Sequence, residues 1–424
     1  MSYFKLKLNN KIILIFLLII ISFFRSPYIF LEGRFMAEDG ELFFKSAFEN
    51  NLLEHLFYYA PNSGYYNFIA NILTEISTYF SLNYAPLIVA YGSLFIILLP
   101  IILILFKDSH LFKNDYQKII ASVIFFIATP NSPEVWANSI NSQIYLFFSS
   151  FIILYFKDEN NLVNIKEKFL LLIAGLSGIY SCILAPVFFA KFYILRKKNY
   201  LYNSIILLFC TVIQLSLIFY SKLNNLLHTS QIEFIEKPIF YVTNFAYSFF
   251  IKPIFGRDFL YFINENLYSN FLQKNFLFFL SALCIIFLLF FIKFNFISYI
   301  KKDKLFQSII IIYFLVFVVI LIGSDNFPPN GRYVVIPGIL FLLIIFYLSM
   351  YFHNRNVRYF FSILIFLSII SGIYEFRPTS KYIKYLDCIS CPDWKDEIIN
   401  WKKDNTYVIR IWPYPRKQFT LDSE

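Results

Sequence analysis

The chain is short of charge. Asp, Glu, Lys and Arg make up 15% of its 424 residues, where a soluble protein carries roughly 25%. That shortage excludes an ordinary water-soluble globule. Histidine is scarce too. His55, His110, His228 and His353 are scattered, with no H-E-x-x-H spacing and no clustered triad, which argues against a zinc site. A Walker lysine motif and a G-x-G-x-x-G turn are both missing, so nothing points to a bound nucleotide. Cysteine contributes five residues. Cys182, Cys210 and Cys284 sit in apolar runs and read as core. Cys388 and Cys391 form a C-x-x-C in a polar tail. A local disulfide explains them best, because a redox pair would need βαβ surroundings.

What fills the chain is hydrocarbon, at 58% hydrophobic residues. Aromatics reach 22%, mostly 56 Phe and 32 Tyr. They come with abundant Ile, Asn and Lys, the mark of AT-rich coding, and so carry no functional weight. Crossing ~30 Å of hydrocarbon takes about 20 apolar residues in a helix. Candidate spans lie near 11–30, 84–106, 118–130, 143–156, 202–220, 275–298, 305–323, 333–351 and 359–374. The run 169–195 exceeds one span and contains Gly175, Gly178 and Pro186, with basic residues at both ends. It reads as two helices turning near 178–181. The expected fold is therefore all-α, with about 11 transmembrane helices. The first is an uncleaved span, since Arg25-Ser26-Pro27 follows it and not a small-residue cleavage site.

Charge asymmetry orients this layout. With the N-terminus in the cytoplasm, the inner segments 1–11, 107–118, 157–168, 191–198, 293–304 and 352–358 hold 19 Lys/Arg and six Asp/Glu. The first outer loop, 25–83, holds three Lys/Arg and seven Asp/Glu. The same bias accounts for much of the +10 net charge, so no nucleic-acid partner is needed. The expected division is a membrane domain over 1–374, with long outer loops at 25–83 and 221–274, and a small extracytoplasmic tail over 375–424. Within the loops, Tyr65 to Phe80 and Ile239 to Phe255 are amphipathic and are expected to lie in the membrane interface. With inner loops this short, function belongs at the outer face.

One stretch there stands out: Arg34-Phe35-Met36-Ala37-Glu38-Asp39-Gly40-Glu41, three carboxylates in four residues just past the first span. A solvated acidic loop would explain it. So would a general base, because crowded carboxylates raise one another's pKa toward the working range. Glu38 and Asp39 could also share a divalent cation, Mg²⁺ or Mn²⁺, through oxygen ligands. Arg332, at the start of a span, is either a snorkelling interface residue or a bidentate clamp for a lipid phosphate. Arg257, Lys252 and Lys237 are weaker candidates for that clamp. The turn 130–138 carries Glu134, Trp136 and Asn138, with Asn141 and Gln143 following. Carboxamides and Trp suit sugar hydroxyls and apolar sugar faces; a capped polar turn explains them equally well.

A long first outer loop with an acidic pair directly after the first span resembles the GT-C class of integral-membrane glycosyltransferases. More narrowly, Phe35-Met36-Ala37-Glu38-Asp39-Gly40 and Pro61-Asn62-Ser63-Gly64-Tyr65 resemble a set of bacterial polytopic membrane proteins of unassigned function. The likeness continues at Glu134 with Asn138, Asn141 and Gln143, at Gly175-Leu176-Ser177-Gly178, and at Arg332-Tyr333 with Pro337. The resemblance implies a glycosyltransferase of the bacterial inner membrane. A polyprenyl-phosphate sugar would be the donor, and a cell-surface glycan, lipid or protein the acceptor. A first-loop carboxylate would serve as base, Asp39 ahead of Glu38, with Arg332, Tyr333, Glu134, Asn138, Asn141, Gln143, Tyr65 and Arg257 binding substrate. The Glu-Asp-Gly order departs from the Asp-x-Asp of several members, which leaves the metal requirement open. The rival readings are a flippase for lipid-linked saccharides, which would bury charges deep in its spans, and an O-antigen-polymerase-like protein, which would show several arginines in one large loop.

Overall fold

The computed structural model describes residues 7–128, 135–157, 164–226, 247–256, 296–323, 331–375, 393–412 and 417–422. The chain divides into two compact units. The first comprises Met1–Lys118, Pro133–His228 and Ile383–Glu424; the second comprises Ile119–Ser132 and Thr229–Tyr382. Among the described residues, six helical stretches are long and apolar enough to cross a membrane: Leu8–Arg25, Leu82–Phe106, Lys198–Leu223, Lys304–Leu321, Gly331–Tyr351 and Arg355–Glu375. They expose large apolar side chains such as Phe16, Phe95, Phe209 and Phe366. A lipid-facing helix needs such a surface, and a water-facing one avoids it. This is the build of an all-α, multi-pass membrane protein. The expected span 275–298 lies almost wholly outside the described residues.

In the first unit, α1 (Leu8–Arg25) leads into α2 (Pro27–Leu31), where Pro27 sits at the first helical position that tolerates it. The first loop then folds into α3 (Lys45–Glu49), α4 (Leu52–Leu56) and α5 (Phe68–Thr78), before α6 (Ala85–Phe106). Next come α7 (Asp115–Phe126), which continues into the second unit, and α8 (Ser142–Leu154). Every residue of α8 is buried. A helix surrounded by protein on all sides is apolar all round and has no need to match the bilayer thickness.

The stretch expected to turn near 178–181 forms α9 (Ile165–Leu176), a break with Gly178 at φ +130°, and α10 (Ala185–Leu195). Both arms pack on α11 (Lys198–Leu223). Lys168 lies over the Tyr202 ring and Gly175 accepts from Gln214, so α9 runs parallel to α11. Phe188 stacks near Tyr200 and Ala185 accepts from Ser204, so α10 runs antiparallel. The two arms thus return the chain to the end from which it entered.

Helix α5, within the stretch expected to lie in the membrane interface, turns its polar side into the protein. Asn71, Thr74, Glu75 and Ser77 are buried. The His55 ring bonds Thr74 Oγ1 and the Asn71 carbonyl, and the Asn71 amide donates to the Tyr58 carbonyl. The polar residues of this stretch hold the first loop together.

The C-terminal helix Trp394–Lys403 and a two-stranded antiparallel ribbon, β1 (Ile409–Arg410) with β2 (Gln418–Phe419), pack on that same loop. Trp394, Trp401, Ile411, Phe419 and Leu421 share a core with Phe35, Phe44 and Val89. Glu397 is fully buried and satisfied by Arg410 at 2.7 Å.

In the second unit, α12 (Lys252–Phe255) and α13 (Phe296–Lys302) precede α14 (Lys304–Gly323), α15 (Val335–Tyr351) and α16 (Arg355–Glu375). Asp303 caps α14 by accepting from the Leu305 and Phe306 amides, and also accepts from Tyr347 on α15.

Candidate active site

The acidic stretch makes a tight turn. Ala37 adopts φ +45°, a left-handed conformation that costs an alanine of order 1 kcal/mol. Its surroundings impose it. The Ala37 amide donates to the Trp412 carbonyl at 2.5 Å, and the Trp412 amide donates to the Phe35 carbonyl at 3.2 Å. Past this bridge the chain enters a π-helical turn, Asp39–Phe44, that runs straight into α3. Gly40 is glycine for a steric reason. A Cβ there would meet Phe35 Cβ at 2.9 Å, Ile411 Cδ1 at 3.0 Å and Phe419 Cε1 at 3.3 Å.

Asp39 points inward and is only 2% exposed. Its Oδ1 accepts from the Ser139 hydroxyl at 2.5 Å and the Ile140 amide at 3.3 Å, and its Oδ2 accepts from the Ser139 amide at 3.1 Å. Burial disfavours the charged form and dominates. The three hydrogen bonds oppose it, the charge of Glu38 adds to it, and the carboxyl is pushed up to about 7. Glu38 and Glu41 are partly exposed and turn elsewhere. Lys417 Nζ lies 2.7 Å from Glu41 Oε2 and 3.9 Å from Glu38 Oε1.

The segment that grips Asp39 carries three of the sequence candidates. Asn138 Oδ1 accepts from the Asn141 amide at 2.9 Å and from its side chain at 3.1 Å. Gln143 donates to the Tyr65 hydroxyl at 3.2 Å and to the Ile140 carbonyl. Gly178 lets Gln143 in, since a Cβ there would sit 2.0 Å from its Oε1. The loop is fastened from its other side too. Asn67 donates to the Ile140 carbonyl, the Ser177 hydroxyl accepts from the Ile69 amide, and Gln214 grips both the amide and the carbonyl of Tyr66. Asp39, Glu38, Asn138, Asn141, Gln143 and Tyr65 are therefore brought into one neighbourhood. The Asn138 side chain, the Asn141 amide nitrogens and the Gln143 amide nitrogen are bonded within the protein, and all three residues are buried.

Arg332 and Tyr333 belong to the second unit, where the guanidinium lies over the tyrosine ring at 5.3 Å. Glu134, Arg257 and the Cys388–Cys391 pair lie outside the described residues. Two participants escaped the sequence reading. Arg25 is 1% exposed, with its guanidinium 4.1 Å from the Trp136 ring. In the sequence Arg25 only marked the end of the first span, and it is the fold that brings its guanidinium over Trp136. Gln214 sits in the middle of an apolar helix, where a lone buried amide is itself a signal of an interhelical hydrogen bond.

The donor set does not suit a shared divalent cation. Asp39 is buried with each oxygen already accepting from segment 139–140, and Glu38 faces an ammonium group. No group of three His, Cys, Asp or Glu among the described residues could hold a metal ion.

No protein-family model matches the chain, and no curated protein matches it. Two solved structures do. One is the archaeal oligosaccharyltransferase AglB from Archaeoglobus fulgidus in complex with an inhibitory peptide and a dolichol-phosphate, at 14% identity and a TM-score of 0.40, covering 98% of this chain and 61% of that one. The other is the Archaeoglobus fulgidus oligosaccharyltransferase in the apo form, at 14% identity and a TM-score of 0.39, covering 99% and 62%. The chain thus spans about three fifths of the length of these proteins.

Proposed function

We propose that the protein is a membrane glycosyltransferase. It takes a sugar from a polyprenyl-phosphate donor and passes it to a hydroxyl of a cell-surface glycan, lipid or protein, with a carboxylate of the first loop as base. One observation carries this reading. A loop carboxyl, fixed by three hydrogen bonds, is poised to change protonation near neutral pH. General-base catalysis asks for such a group. Oδ2 accepts the Ser139 amide and keeps a second lone pair, to which an acceptor hydroxyl can donate. The resemblance to the GT-C class of a long first outer loop with an acidic pair directly after the first span supplies the reaction type. The departing phosphate needs a cation, and Arg332 has the right chemistry for it. The charge bias of the loops supports an extracytoplasmic site, and the resemblance implies a bacterial inner membrane. No metal-dependent step is invoked.

Burial of Asp39 favours a second assignment of roles within the same reaction. Asp39 would tie the turn to segment 139–140, and Glu38, more exposed, would be the base. The flippase reading draws less support. Among the described residues, the charges in the membrane-length helices gather at their ends, as with Lys198 and Lys222, or Arg355 and Glu375.

The test is surface-glycan analysis in the native host with Asp39→Asn and Glu38→Gln at matched protein levels. Loss of a base costs roughly 10²–10⁴-fold in rate. Loss of a glycan in Asp39→Asn alone assigns the base to Asp39; loss in Glu38→Gln with Asp39→Glu active assigns it to Glu38. Unchanged glycans in both variants sink the proposal.

A further inference from the structure

The residues around Asp39 have one thing in common. Almost every other position of the acidic turn is held by the C-terminal segment. Trp412 brackets Ala37 with two backbone hydrogen bonds. Ile411 and Phe419 lie against the Cα of Gly40. Lys417 reaches Glu41 and Glu38. Asp39 alone turns away, toward Ser139. A partly exposed ion pair by itself is worth about 0–1 kcal/mol and means little. Here three kinds of contact, backbone, apolar and ionic, reach four of the five consecutive residues 37–41 from one short ribbon.

We propose that this C-terminal ribbon is a working part of the acidic site, with Lys417 as a positioning residue that holds Glu38 and Glu41 in a neutralised rim behind Asp39. The proposal rests on the reading of this turn as the active site, though its test does not need the reaction. Without the ribbon the turn has little reason to exist. Three carboxylates in four residues repel, Ala37 is held left-handed, and Ile411 and Phe419 join Phe35 in excluding a Cβ at Gly40. At the start of the stretch Arg34 feels Asp393, Glu32 and Glu397, and on the ribbon Arg410 is paired with Glu397. On the elements packed against the turn, α3 brings Lys45 and Glu49, paired to each other at 3.7 Å. Helix α5 brings Glu75, bonded by Tyr79. The described part of the segment gripping Asp39, 135–141, contributes no ionisable side chain. Glu38 is the neighbouring charge felt by Asp39, and Lys417 is the cation that faces Glu38.

The experiment uses the full-length protein in membranes. A hydrophobic carbodiimide modifies carboxyl groups in their protonated form, and mass spectrometry reads the modification of Asp39 against pH. Removing the cation in Lys417→Gln leaves Glu38 unbalanced, so the midpoint should rise, by about half a unit for a partly screened charge. Lys417→Arg should restore it. Glu41→Gln releases Lys417 toward Glu38, so the midpoint should fall. A merely structural tether would not move a titration in opposite directions. A midpoint that stays put in both Lys417→Gln and Glu41→Gln overturns the proposal. Should Lys417→Gln fail to accumulate, Glu41→Gln decides it alone. The outcome is separable from the glycan assay: midpoints that shift while Asp39→Asn leaves glycans intact refute the enzyme reading and keep the ribbon's role.

Discussion

Ser139 donates both its hydroxyl and its amide to Asp39, a residue one hundred positions earlier. The pair joins the turn after the first span to the turn before α8, and everything proposed for the site depends on it. At 2.5 Å the hydroxyl contact has the length of a charge-assisted bond. Ser139→Ala keeps the backbone donor and removes the hydroxyl. With one lowering influence gone, the Asp39 carboxyl should titrate at higher pH. The acid limb of any activity that needs its ionised form should move up with it. A pH profile of product formation for the wild type and Ser139→Ala checks this; superimposable acid limbs would count against Asp39 as the ionising group.

Trp394 fixes the C-terminal segment to the first loop. It is 1% exposed, meets Phe35 edge-on at 5.1 Å, and its indole N–H donates to the Leu82 carbonyl at 2.7 Å. Trp394→Ala empties that volume and orphans the carbonyl. Large-to-small changes of this kind cost about 3–5 kcal/mol. The ribbon should become accessible to protease while the membrane helices stay folded. Limited proteolysis of the full-length protein in detergent, mapped by mass, provides the check. A cleavage pattern identical to wild type would show that the tryptophan is not the anchor.

Gln214 is the clearest buried polar clamp. Its amide holds the N–H and the C=O of Tyr66 and the carbonyl of Gly175, all at 3.0–3.1 Å. Gln214→Leu leaves these backbone groups without their partner in a dry setting, at about 1–3 kcal/mol for each orphaned group. The variant should melt earlier, and residues near Tyr66 should exchange their amide hydrogens faster. Hydrogen exchange measured by mass spectrometry would show it. Unaltered protection at 65–69 would mean that Asn67 and Ser177 suffice to hold the loop.

Much of the helical frame was legible because hydropathy and length follow directly from the bilayer. Expected spans at 84–106, 305–323 and 333–351 meet α6, α14 and α15 within a few residues. The break at Gly178 was legible for a related reason, since a run too long for one span with two glycines must turn. The acidic turn also stood out, because charge is rare here. What surrounds it did not. Lys417 and Glu41 are 376 positions apart, and no periodicity announces such a pair. The role of Gly40 depends on Ile411 and Phe419, which read as ordinary tail residues. Asn138, Asn141 and Gln143 looked like sugar ligands because their chemistry suits hydroxyls. The same chemistry suits backbone carbonyls and neighbouring amides, and the fold uses it for those. The polar face of α5 suits headgroups by its chemistry, and the fold turns it onto α4.

The raised pKa of Asp39 has a thermodynamic consequence whose sign is fixed. Its folded value, about 7, lies above the ordinary 3.8 that the unfolded chain would show. Between those limits the folded protein holds a proton that the unfolded chain has lost, so stability falls as pH rises. The contribution is fully present below about pH 3.8, is lost progressively as pH rises through about 7, and changes no further above that. The slope can reach about 1.4 kcal/mol per pH unit in the middle of the window. His55 works against it. Burial holds its imidazole below the usual value, so its contribution is lost as pH falls. A melting curve of the wild type alone therefore mixes two opposed effects. Asp39→Asn separates them, because it keeps His55 and cannot titrate at position 39. The wild type should lose melting temperature relative to Asp39→Asn on going from pH 5 to pH 8, whatever the absolute offset between them. If the two profiles run parallel across that range, the carboxyl does not change protonation there, and its standing as a base poised near neutrality falls with it.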